Sequence, residues 1–194
     1  MGGFFKVILF LPSIISSIVI IQLFMSVTEN VIPFFYQKLT GEAILGPMSR
    51  VETKQGVLIF YNIWVGFGSG ILLYSGAMKN ISESVVEAAK IDGTTEIKEF
   101  FYIILPLIYP TLKTFLIAGL TGLFTSDMCL FSFQNTNADK ILWTFGYYMI
   151  KETRLATLAG LPQLSAFGIV LTLVAVPLTF GARYLLNKLD PMVD

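Results

Sequence analysis

Three stretches of this chain, 7–27, 56–78 and 156–182, run for more than 20 residues without a charged side chain. A fourth, 103–125, is interrupted only by Lys113. About 20 helical residues, rising 1.5 Å each, cross the roughly 30 Å of bilayer hydrocarbon. Inside lipid every backbone polar group must be bonded within the protein, which leaves helices or closed barrels. These runs are too long for barrel strands and lack their polar–apolar alternation. The chain therefore reads as all-α, a polytopic transmembrane helical bundle forming a single transmembrane domain over 1–194. Spans are expected at about 5–27, 56–78, 106–126 and 160–183. Lys113, near the front of its span, is expected to snorkel to the interface.

Composition agrees with a bilayer as the second solvent. Of 194 residues, 55% are hydrophobic and 13% charged, against about 25% charged in a soluble domain. The formal net charge of zero gives no footing for nucleic acid. The single Cys129 excludes an internal disulfide and a cysteine zinc site. The absence of His removes the commonest general base and metal ligand. Most hydrolytic and metal-dependent chemistry is thereby disfavoured, and no catalytic residue, cofactor or metal is expected.

Three polar stretches, 28–55, 79–102 and 126–155, separate the spans. Within the last, 134–140 (Gln-Asn-Thr-Asn-Ala-Asp-Lys) reads as a surface loop. Residues 141–150, with Trp143, Phe145, Tyr147 and Tyr148, are expected along the membrane interface. The first span is too long for a signal-peptide core, and no A-x-A-like cleavage site follows it, so it reads as retained. Basic residues do not fix the orientation. With 79–102 inside, Lys6, Lys79, Lys90, Lys98, Arg183 and Lys188 are balanced by Lys38, Arg50, Lys54, Lys140, Lys151 and Arg154 outside.

The informative segment is SESVVEAAKIDGTTEIKEFFYIILP, residues 82–106. Ile81, Val85, Ala88 and Ala89 fall on one helical face, and Glu83, Glu87 and Lys90 on another. Asp92-Gly93 is a stop signal, with Gly suited to a left-handed C-terminus. Thr94-Thr95 offers an N-cap for a second helix carrying Ile97, Phe100, Phe101 and Ile104 at helical spacing. Leu105-Pro106 is expected to close that helix, with Pro110 starting the next span. The physics alone leaves two readings of comparable weight: helices resting on lipid, with Glu87 merely the far end of a capping box begun by Ser84, or a docking element.

Seven positions at fixed spacing, Glu87-Ala88-Ala89, Gly93, Ile103 and Leu105-Pro106, resemble the EAA loop of inner-membrane permeases in binding-protein-dependent ABC importers. The resemblance implies a cytoplasmic coupling loop over 79–105, whose first helix docks in a cleft of a separate ATPase subunit. It assigns coupling roles to Glu87, Ala88, Ala89, Asp92, Gly93, Ile103, Leu105 and Pro106. Residues 4–17 and the Asp92-Gly93-Thr94 run with Phe100 are similar to the carbohydrate class of these permeases, the maltose and glycerol-phosphate type. Three departures stand beside the likeness. Ile81-Ser82 replaces the usual Ile-Pro, 134–140 lacks the Thr-x-Gly-Gly-Pro pattern, and four spans appear where such permeases have six or more. The last suggests that two front spans are missing.

The function the resemblance implies is that of a bacterial plasma-membrane permease importing a sugar or similar polar solute. The implied partners are cytoplasmic ABC ATPases, a second permease chain, an external solute-binding protein and the lipid bilayer, but not nucleic acid. The alternative is a membrane enzyme, sensor or scaffold whose loop only looks similar; it would need titratable groups inside the spans, where Lys113 stands alone. Other features are weaker. Gly41 and Gly46 have phosphate-loop spacing, but Pro47-Met48 stands where Lys and Ser/Thr are required. Gly66 and Gly70 suggest close helix packing, or less readily a broken span. Asn62, Gln163, Ser165 and Thr172 are polar groups at or near membrane depth.

Overall fold

The computed structural model describes residue 12 and residues 14–190. The front of the first expected span, including Lys6, lies outside the described residues, as does much of the 4–17 segment. Among the described residues every regular element is helical, and four helical stretches are long and apolar enough to cross a membrane: Ser17–Thr40, Val51–Lys79, Glu96–Gln134 and Leu161–Lys188.

The elements in chain order are α1 (Ser17–Ser26), a π-helical turn (Val27–Val31), α2 (Ile32–Thr40), α3 (Val51–Lys79), α4 (Glu83–Ile91), α5 (Glu96–Glu99), a second π-helical turn (Phe100–Ile104), α6 (Leu105–Thr125), α7 (Leu130–Gln134), a 3-10 turn (Lys140–Leu142), α8 (Phe145–Leu155) and α9 (Leu161–Lys188). The chain divides into two units, Met1–Ser69 with Ser126–Leu164, and Gly70–Thr125 with Ser165–Asp194.

Helix continues well past residue 27, contrary to the expected polar stretch. Pro33 follows the π-helical turn, whose widened i−5 bond from the Ile32 N–H to Val27 O makes room for a proline inside the continuing helix, and Gly41 ends the helix in the left-handed conformation with φ 78°. The 29-residue α3 extends about 43 Å at 1.5 Å per residue. It runs unbroken through its glycines, so no local break lines a pathway there. A Cβ at Gly66 would meet no atom within 4 Å, and at Gly70 only Tyr74 of the same helix. The expected close helix packing at this pair is therefore absent among the described residues.

In the first unit, α1, α3, α7 and α8 enclose a core of Ile20, Ile21, Leu58, Tyr61, Leu130, Phe133 and Tyr147. Phe24 stands 5.0 Å from Tyr61 and 6.1 Å from both Trp64 and Phe133, ring centroid to centroid. Tyr61 meets Phe133 edge-on at 4.8 Å. These tilted and edge-to-face contacts are the favoured aromatic geometries.

Residues 126–155 form a folded cap, within which 135–139 of the expected surface loop 134–140 are turn and coil with Asn135 and Asn137 exposed. Tyr147 is 0% exposed; its hydroxyl donates to Asn135 O at 2.8 Å and accepts from the Ala138 N–H at 3.2 Å. Trp143 Nε1 donates to Ala138 O at 2.9 Å, and Lys151 Nζ lies 4.0 Å above its ring. Thr144 caps α8 by accepting from the Tyr147 N–H. Asn62 Nδ2 donates to Leu58 O and to Met128 O, and Lys54 pairs with Asp139 at 2.5 Å. Trp143 and Tyr147, expected at a lipid interface, are instead turned into this cap's own core. A buried ring whose polar end is bonded to loop backbone holds that backbone in place.

In the second unit, Tyr74 and Phe115 meet edge-on at 5.7 Å, joining α3 to α6. Ile108 is buried. Many large apolar side chains of α9, among them Ile169, Leu173, Phe180 and Leu185, are exposed, as a membrane helix can be where its solvent is lipid. Thr172 Oγ bonds back to Gly168 O at 2.8 Å, so this polar group is satisfied within its own helix.

Candidate coupling site

The loop after α3 is built from its caps. Ser82 is the N-cap of α4, in extended conformation, and Ser84 lies in the first turn. That placement removes the capping-box account of Glu87, because Ser84 is not the residue that opens the helix. Ser82 and Ser84 instead bond each other, Oγ to Oγ at 2.7 Å.

The C-terminal end of α4 carries the paired bonds of a glycine-terminated helix. The Gly93 N–H donates to Lys90 O and the Thr94 N–H to Ala89 O, both at 3.1 Å, with Gly93 left-handed at φ 73°. Nothing lies within 4 Å of where a Gly93 Cβ would be. The position is therefore restricted by backbone conformation and not by space. Thr95, in extended conformation, precedes α5, although its side chain makes no capping bond.

Two groups of the sequence-predicted residues separate here. Glu87, Ala88, Asp92 and Gly93 are exposed, at or near the end of α4. Ile91 beside them is 86% exposed, an apolar side chain left open at a helix end. Ala89 is buried. The apolar face expected of this helix is thus reduced to one inward alanine, since Val85 and Ala88 are exposed. Ile103, Leu105 and Pro106 are half-buried and stand apart from that surface, at the root of α6.

The second helix does not close at Leu105-Pro106. It continues through the π-helical turn Phe100–Ile104 into α6, with the Leu105 N–H donating to Phe100 O. Proline lacks an N–H and its ring crowds the preceding turn. A turn widened to the i−5 pattern accommodates that ring without ending the helix. α5, the π-helical turn and the root of α6 therefore form one continuous helical path with no coil after Thr95.

Sequence reasoning missed Tyr109, Glu29 and Asp190. Tyr109 OH donates to Leu186 O at 2.8 Å. Lys113 Nζ pairs with Asp190 Oδ2 at 2.8 Å, the two side chains 20% and 5% exposed. The clue was available, because a lone cation inside an apolar run calls for a partner, and Asp190 is an acid just past the last apolar run. Glu29 sits in the first π-helical turn, where its carboxylate accepts the Met48 N–H at 2.7 Å and the Ser49 hydroxyl.

Compared with known proteins, residues 1–194 match the family of the binding-protein-dependent transport system inner membrane component. The chain belongs to that family. Relatives of this inner-membrane protein include protein LplB of Bacillus subtilis (strain 168), 25% identical over 189 residues covering 94% of this chain and 58% of LplB. The probable starch degradation products transport system permease protein AmyC of Thermoanaerobacterium thermosulfurigenes is 38% identical over 101 residues, covering 51% of this chain and 35% of AmyC. The crystal structure of a bacterial ABC transporter involved in the import of the acidic polysaccharide alginate matches with TM-score 0.74 at 20% identity, over 99% of this chain and 66% of that one. At that identity the likeness establishes the fold. The chain spans less than two thirds of the length of these relatives. Membership makes it an inner-membrane component of a transport system and does not favour the membrane-enzyme and scaffold readings.

Proposed function

We propose that this chain is a permease subunit of an ATP-driven importer, carrying a sugar or similar polar solute across the bacterial plasma membrane. The observation that carries the reading is α4, a short helix directly after a span, which leaves Glu87, Ala88 and Ile91 exposed and ends in a rigid glycine turn. Small and apolar side chains permit close approach of a partner surface, and a carboxylate offers an Arg a charge-assisted bond. The carbohydrate class is supported by the starch-product transport name of AmyC and by the alginate transporter that shares the fold.

In this reading the chain performs no bond chemistry. ATP is hydrolysed by separate cytoplasmic subunits, whose closure pushes on α4. The continuous helical path from Glu96 into α6 passes that push to the span, shifting the balance between inward-open and outward-open states. A second permease chain completes the pathway, and a solute-binding protein delivers cargo outside. The test is co-purification of the tagged chain, in mild detergent, with an ABC ATPase co-expressed from the same genome. Retention of the ATPase through size-exclusion chromatography is expected; its absence from every fraction holding the permease overturns the proposal.

A further inference from the structure

The C-terminal end of α9 is held by α6 through two side chains one turn apart, Tyr109 and Lys113. A helix leaves its final four carbonyls without intrahelical partners. In α9 the Leu185 carbonyl accepts from the Leu189 N–H and the Asn187 carbonyl from the Asp190 N–H. The Leu186 carbonyl accepts from Tyr109 OH at 2.8 Å. Four residues on, Lys113 Nζ binds Asp190 Oδ2 at 2.8 Å and lies 5.9 Å over the Tyr109 ring. A cation at a helix C-terminus is also favoured by the helix dipole. Positions i and i+4 share a helix face, so Tyr109 and Lys113 grip the same end of the same helix.

The placement of this grip gives it a consequence. Tyr109 is the fifth residue of α6, which follows the π-helical turn and α5 without a coil. The docking loop's second helix and the grip therefore share one stretch of helix. We propose that Tyr109 and Lys113 are positioning residues that bind the end of α9 to the docking loop, so that α9 moves with the loop during the ATP cycle. The inference rests on the permease reading above. It adds a second span to the body that the ATPase drives, through a buried ion pair and a side-chain cap. Pro177 lies inside α9 nine residues before Leu186, away from the gripped turn, where bending of that span leaves the grip itself intact.

The test uses the assembled transporter, with its ATPase, in nanodiscs. Spin labels go on Lys90→Cys and Tyr184→Cys in a Cys129→Ser background, with distances recorded with and without MgATP. One narrow distance, unchanged by MgATP, is expected of the parent. In Lys113→Met it should broaden or shift with MgATP, and ATP hydrolysis should fall about fivefold or more, the range of typical coupling strengths. The swap Lys113→Asp with Asp190→Lys should restore both readings. Tyr109→Phe, which removes one oxygen, carries the same distance test should Lys113→Met not assemble. A parent distance that changes with MgATP, or variants that keep the parent's narrow distance, overturns the clamp. A parent that binds no ATPase overturns the permease reading instead, so the two failures are distinguishable.

Discussion

The carboxylate of Glu29 lies where a side chain on Gly46 would have to be. It accepts the Met48 N–H at 2.7 Å and the Ser49 hydroxyl, and a Cβ built on Gly46 would overlap it. The glycine spacing at 41 and 46, which suggests a phosphate loop and fails for want of Lys, thus has a structural explanation. Gly41 ends α2, and Gly46 makes room for the acid that holds the following turn.

Gly46→Ala should displace the Glu29 carboxylate and cost about 1–3 kcal/mol, the scale of a lost hydrogen bond to a charged group. Glu29→Gln should cost less, because an amide keeps one acceptor oxygen. Limited proteolysis of membrane-inserted protein is the measurement, with faster cleavage in 41–50 expected for Gly46→Ala. Equal cleavage rates for parent and Gly46→Ala would remove the Glu29 latch.

Gly93→Val should weaken the turn after α4, since a left-handed conformation costs an ordinary residue roughly 1–2 kcal/mol and a β-branched one is a genuine outlier there. Glu87→Arg reverses a charge on the exposed face without touching the turn. Both should insert into the membrane at parental levels while losing ATPase binding, because both positions are exposed and outside the spans. Parental ATPase retention by both variants in co-purification would take the docking role away from α4.

Lys54 with Asp139, and Asn62 with Met128, fasten the 126–144 stretch to the first three turns of α3, whereas the docking loop follows the other end of that helix. A span's two ends face opposite sides of the membrane. With the docking loop cytoplasmic, an impermeant maleimide on intact cells should label Asn137→Cys and not Lys90→Cys, in a Cys129→Ser background. Lys90→Cys should react only after permeabilisation. Labelling of Lys90→Cys alone on intact cells would invert the orientation.

Much was legible in the chain because membrane folding rests on local rules. Uncharged runs of more than 20 residues must be helices in lipid, and Asp92-Gly93 ends a helix by conformational preference at a single residue. The expected stop at Leu105-Pro106 went astray because a widened turn absorbs the proline, and a π-helical turn has no residue signature comparable to glycine's. Ala89 was grouped with Val85 and Ala88 because periodicity marks a face; it does not say how much of that face finds a neighbour.

By itself the sequence determined the all-helical class, the membrane as solvent and the short helix after the second span with its glycine turn. Each depends on runs or spacings within about 25 residues. Tertiary structure decided the pairings between distant positions: Lys113 with Asp190, Tyr109 with Leu186, Lys54 with Asp139 and Glu29 with Met48. It also turned Tyr147 and Trp143 from an expected interface into the core of a folded cap. A polar side chain in an apolar setting announces that it needs a partner. Which partner it finds depends on how the helices pack, and that is settled only when the whole chain has folded.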